Sequence, residues 1–196
     1  MKNIEAFFLE LDDKWPTKGG GRIRLSLIGS SALFLQTDYD RGTKDSDVLE
    51  TEQLKRGAGV ELTTLAGQGS ALHRRHRLYI DIVASGLPFL PHPPIFHFLS
   101  ISKKLKHFDV HALDVVDIAV SKLIRFNAND ASDIRAMVEI GAIKHRILIE
   151  RFRSAVDSFS MDARVEDLPK YIANLHAIER DFLRVPETLI DLPEWM

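Results

Sequence analysis

Three aspartates stand where carboxylates are either paired by geometry or costly to place. Asp45 and Asp47 lie two residues apart in Asp45-Ser46-Asp47-Val48-Leu49, which reads as a short strand, and positions i and i+2 on a strand point to one face. Asp81 sits in Leu78-Tyr79-Ile80-Asp81-Ile82-Val83, between two isoleucines, where a charge is expensive unless it is paired or binds metal. Three carboxylates on adjacent strands can hold two magnesium ions about 4 Å apart. Hard oxygen ligands suit magnesium, which also binds substrate phosphates. The bland alternatives are that Asp-x-Asp is a surface turn and that a lone strand aspartate caps a neighbour.

A second feature lies upstream. Leu25-Ser26-Leu27-Ile28 runs into Gly29-Ser30-Ser31 and then into the apolar stretch Ala32 to Leu35. Small residues let backbone N–H groups approach a phosphate, and a helix N-terminus behind them adds donors and a favourable dipole. The same residues can be a plain turn with Ser30 or Ser31 as helix cap. The spacing is neither a P-loop nor a dinucleotide fingerprint.

The elements that must position these groups follow from periodicity. Ile4, Phe7, Phe8 and Leu11 predict a helix over 3–14. Trp15-Pro16 and Gly19-Gly20-Gly21 break it. Strands are expected over Arg22–Ile28, Asp45–Leu49 and Leu78–Val83, and a further one within Ile95–Ile101. A short helix is expected over Ala32–Leu35 and another within 51–66. From Asp114 the chain reads as helical, with apolar stripes at Val116/Val120/Leu123/Ile124, Ile134/Met137/Val138, Ile147/Ile149/Phe152/Val156 and Leu168/Tyr171/Ile172/Leu175/Ile178. A mixed α/β part over residues 1–110 is therefore expected, followed by a helical part over 111–196 packed on it.

With 196 residues, 45% of them apolar, the chain is long enough for such a core. Its formal charge of −2 supplies no global attraction for nucleic acid, so any such contact needs a local basic patch. His73-Arg74-Arg75-His76-Arg77 and Lys103/Lys104/Lys106 are the candidates, each equally well a solvated loop. Few aromatics interleave with either, so base stacking is not signalled. The absence of cysteine excludes thiolate sites and disulfides. Acids within the first fifteen residues argue against a signal peptide, no run is long enough to span a membrane, and a cytoplasmic location is expected.

Strand, Gly-Ser, short helix, Asp-x-Asp and a third acid on a later strand, in that order, resemble the DNA-polymerase-beta-type nucleotidyltransferase superfamily. Arg41-Gly-Thr43-Lys-Asp45-Ser-Asp47-Val48 is similar to the Arg-x-Thr-x-Asp-x-Asp of its minimal members, which include abortive-infection and toxin–antitoxin nucleotidyltransferases. Lys122-Leu123-Ile-Arg125 and Asp130-Ala-Ser-Asp133 resemble the family's pattern in the helical half. The resemblance covers roughly residues 25–140 and implies an α+β fold, a mixed sheet flanked by helices with a C-terminal helical part. It implies that Asp45, Asp47 and Asp81 hold Mg2+, two ions in all, and that Gly29, Ser30 and Ser31 hold the phosphates of an NTP donor. Lys122 would contact the triphosphate rather than merely snorkel to water. Asp133 would orient Lys122 or the incoming hydroxyl, while Asp130 reads as a helix cap or a partner for Arg125. The implied reaction moves a nucleoside monophosphate to an RNA end or a protein, in a toxin-like role. Phe182, Leu183, Leu189, Ile190, Leu192 and Trp195 leave apolar surface near the end; part of it is expected to pack back on the domain and the rest to serve an antitoxin partner or a homodimer. Two departures, the long 31–44 spacing and Ser46 where an apolar residue is usual, keep open a catalytically inactive member. An aminoglycoside-type enzyme acting on a small molecule is the other alternative.

Overall fold

The computed structural model describes residues 2–16, 21–159 and 163–191. Gly19, Gly20, Leu192 and Trp195, singled out above, lie outside them. The chain forms two compact units, residues 1–88 with 96–113, and residues 89–95 with 114–196.

The first unit is built on a five-stranded mixed sheet. Its elements are α1 (Asn3–Lys14), β1 (Ile23–Leu27), α2 (Gly29–Gln36), β2 (Asp45–Leu49), α3 (Gly59–Ala66), α4 (Ala71–His76), β3 (Tyr79–Val83), β4 (Phe96–Phe98) and β5 (Phe108–Leu113). The strand order is β3-β2-β1-β5-β4. Pairing is antiparallel for β1/β2 and β4/β5 and parallel for β1/β5 and β2/β3. Strand alternation then gives the sheet two unlike faces. One carries Leu25, Leu27, Val48, Ile80, Phe108 and Val110, all buried. Helix α1 lays Phe7, Phe8 and Leu11 into the core, each burial stabilising by about 1.5–3 kcal/mol, and Trp15 meets Phe108 edge-on at 4.8 Å. The register places Asp45, Asp47, Tyr79, Asp81, Arg24 and His111 together on the opposite face.

Three elements differ from expectation. Strand β5 was not expected, yet it pairs with β1 near the middle of the sheet. Its alternation of Phe108, Val110 and Ala112 with Asp109 and His111 carries a strand signal. The basic stretch at 73–77 is a helix rather than a loop: Ser70 caps it by accepting from the His73 N–H at 3.1 Å, and Arg77 ends it at φ +56°. Most of its charge is bound locally, with Arg75 and His76 both on Glu10 and Arg74 on the Gly69 carbonyl. Helical structure within 51–66 is interrupted at Gly57, whose φ of +116° separates a wide turn over Leu54–Ala58 from α3.

The second unit contains α5 (Val115–Lys122), α6 (Ala128–Glu139), α7 (His145–Ser158) and α8 (Leu168–Ile178). Segment 89–95 belongs with them because Phe89 packs against Phe152, Phe159 and Tyr171. The Ile95 N–H also donates to buried Asp117, which Arg151 grips with two hydrogen bonds of 2.6 Å. The expected stripes are buried except at Ile124, Val138 and Ile172, which are half-buried, and Ile147, which is solvent-exposed; Leu148 takes its place in the core of α7. Ile190 is buried and Leu189 is exposed. Among the described residues no helix is long and apolar enough to cross a membrane.

Candidate active site

Asp45 and Asp47 share a face of β2 and are partly exposed, while Ser46 and Val48 between and beyond them are buried. Parallel pairing sets Asp47 opposite Asp81 and Asp45 opposite Tyr79. Asp81 is exposed on β3, the terminal strand of the sheet. Tyr79 reports the crowding of negative charge: burial first, then the charges of Asp45, Asp81 and Asp47, push its phenol above the usual value. Thr43 fixes one carboxylate by donating to Asp45 Oδ1 at 2.8 Å.

The turn after β1 meets these carboxylates. The Ile28 N–H donates to the Asp47 carbonyl at 2.9 Å, holding the chain against β2 as it enters α2. Gly29 has φ +66°, and a Cβ there would lie 2.8 Å from Asp47 Oδ2. Two constraints thus demand glycine at one position, the left-handed backbone and the carboxylate against its Cα. Neither Ser30 nor Ser31 is the capping residue of α2; Ile28 is, and its side chain makes no cap hydrogen bond. Ser30 instead accepts from Arg41 at 3.0 Å, so the arginine of the Arg-Gly-Thr segment returns to the turn. Ser31 is buried and turned inward, donating to the Ile28 carbonyl and lying 3.1 Å from Ser46 Oγ. Its side chain therefore serves the core, and only its backbone faces the helix N-terminus. That contact also accounts for Ser46, whose polar atom on the buried face of β2 is satisfied by Ser31.

Lys122 and Asp133 belong to the second unit. Lys122 is the last residue of α5 and only 6% exposed, so it does not snorkel. Its ammonium donates to Asp130 Oδ1 and pairs with Asp133 Oδ2, both at 2.9 Å. Asp130 closes a capping box with Asn127 at the start of α6 and takes Arg125 at 2.8 Å. Burial pushes the Asp130 carboxyl up, but the hydrogen bond from Arg125 and the charge of Lys122 outweigh it and leave the pKa below the usual range.

The donor set on the sheet, three carboxylates with no sulfur or imidazole among them, suits a hard divalent cation. Among the described residues no three His, Asp or Glu side chains are gathered into a ready-made metal cluster. Magnesium does not require one, since it is usually held by one or two carboxylates with water and substrate phosphate completing the shell.

No curated protein and no solved structure matches the chain. A family model described as "Nucleotidyltransferase of unknown function (DUF6036)" matches residues 6–180. That span holds every element from the middle of α1 to the end of α8, and the chain belongs to this nucleotidyltransferase family.

Proposed function

We propose that the protein moves a nucleoside monophosphate from a nucleoside triphosphate to an acceptor hydroxyl on an RNA end or a protein. The observation that carries this reading is the contact between Gly29 and the Asp47 carboxylate. It sets a small-residue turn and the start of α2 directly beside the Asp45/Asp47 pair, with Asp81 on the next strand. Backbone N–H groups of the turn would hold the β- and γ-phosphates, leaving the α-phosphate over the carboxylates. The acceptor oxygen attacks the α-phosphorus, the bond from that phosphorus to the bridging β-oxygen breaks, and pyrophosphate departs with the electron pair. Asp81, the most exposed of the three, accepts the acceptor's proton. Magnesium would be held by Asp45, Asp47 and Asp81 and supplies the positive charge that neutralises the triphosphate and acidifies the acceptor hydroxyl. The likeness to abortive-infection and toxin–antitoxin enzymes supports a toxin-like role. The inactive alternative loses one of its two supports, because Ser46 has a structural partner in Ser31.

The test is incubation of the purified protein with magnesium and each labelled NTP, with total RNA and cell protein as acceptors, beside an Asp45→Ala/Asp47→Ala variant. Label entering RNA or protein only with both aspartates intact is expected. Absence of magnesium-dependent NTP binding by calorimetry would remove the proposal.

A further inference from the structure

The carboxylates occupy one side of a larger sheet face. Pairing of β5 with β4 adds Phe96 and Phe98 to it, since Phe98 stands opposite His111. Phe98 is 50% exposed, an unusual state for a phenylalanine in a strand, and its ring meets His111 edge-on at 5.4 Å. The exposed Arg24 guanidinium lies over the Phe96 ring, 5.6 Å from its centroid, and its Nε donates to Ser26 at 3.2 Å. Burial, and after it the charge of Arg24, hold His111 below its usual pKa against the opposing charge of Asp109. Tyr79 ends the same face at the carboxylates, and its hydroxyl has no hydrogen-bond partner among the described residues.

We infer that this face is a binding surface for the unpaired end of an RNA acceptor, its bases stacked on Phe98 and Phe96 and its terminal hydroxyl delivered to Asp81. The acceptor role rests on the transferase reading above; the RNA chemistry rests on the face itself. Aromatic rings beside an exposed cation on a sheet face match single-stranded RNA, whose bases stack while its phosphates take the arginine. A protein partner held by apolar contact would call for a contiguous apolar patch, which Arg24 and His111 interrupt. Strand β4 is four strands from β3, which carries Asp81, about 19 Å at ordinary strand spacing, a distance that a few nucleotides cover. No basic motif of the sequence marks this surface, because its members come from three separate segments.

The test uses the full chain and a fluorescein-labelled single-stranded RNA of about 12 nucleotides, within the usual site-size range, read by anisotropy at several salt concentrations. Phe98→Ala is expected to weaken binding by about 5- to 160-fold, the range of one lost base stack. Arg24→Gln is expected to reduce the slope of log affinity against log salt by about 0.7, the value for one phosphate contact. Val60→Ala, at a more exposed apolar residue on α3, should change neither, and thermal melts establish that all three variants are folded. Equal affinity of wild type and Phe98→Ala, or no RNA binding by wild type, overturns the inference, and in that case label entering cell protein would identify the other acceptor class. Calorimetry with MgATP separates the two readings. ATP binding without RNA binding removes this inference alone, whereas Phe98-dependent RNA binding without ATP binding removes the transferase reading and leaves the surface standing.

Discussion

Gly29→Ala probes the contact on which the proposed site rests. The substitution adds one methyl group and imposes two separable penalties. A non-glycine residue at φ +66° costs about 1–2 kcal/mol. The methyl also starts 2.8 Å from Asp47 Oδ2, so the gap must open by about 0.6 Å to reach an ordinary contact of 3.4 Å. Gly42→Ala isolates the first penalty, because Gly42 has φ +78° and nothing within 4 Å of its added Cβ. Urea unfolding of both variants should show a loss of about 1–2 kcal/mol for Gly42→Ala. Gly29→Ala should lose more, with the excess measuring the displacement of Asp47. MgATP affinity by calorimetry should fall for Gly29→Ala and stay at the wild-type value for Gly42→Ala. Equal stability losses with nucleotide binding intact in both would refute the claim that turn and carboxylate are mutually fitted.

Two further outcomes follow from the second unit. Lys122→Met leaves Asp130 and Asp133 buried with one cation fewer, and a loss of about 3–5 kcal/mol in urea unfolding is expected, with Lys122→Met/Asp133→Asn recovering part of it. Acid stability depends on Asp130 and on Glu179. Burial raises the Glu179 carboxyl, and hydrogen bonds from Thr188 and His145 more than offset this. Both folded values lie below their unfolded ones, so the stability they contribute is complete above the unfolded carboxylate range of about 4 and is lost as pH falls through the folded values. The urea midpoint should hold from pH 7 to about 5 and drop below about 4, and Asp130→Asn should drop less steeply.

The fold class was legible because its strongest elements have clean periods. Helix α1 and strand β2 lie at their expected bounds, and β3 begins one residue late. Strand β5 was hidden by its composition, since Asp109 and His111 dilute its apolar side and a helical signal begins at Asp114. Helix α4 has only Leu72 buried, so periodicity had little to act on, and its cap at Ser70 carries the signal instead. The paired spacing of Asp45 and Asp47 was visible; the approach of Gly29 to Asp47 was not, because it depends on how β1 lies against β2. Ser46 looked like a departure in sequence and is a satisfied core hydroxyl in space, a distinction that only its partner Ser31 makes. The face shared by Arg24, Phe98 and His111 is likewise a product of strand order.

The lateness of β5 also shapes how the protein is made. Ile23 pairs with Phe108, so one edge of β1 stays unsatisfied until the chain has been synthesised well past Asp81. A nascent chain that has reached β3 but not β5 leaves that edge of β1 without its partner, and an unpaired strand edge is a template for misassociation. Folding of the first unit waits on a long loop closure, which makes it slow for its size. Chaperone demand should therefore concentrate in the interval between translation of β3 and of β5, and the completed strand would end it.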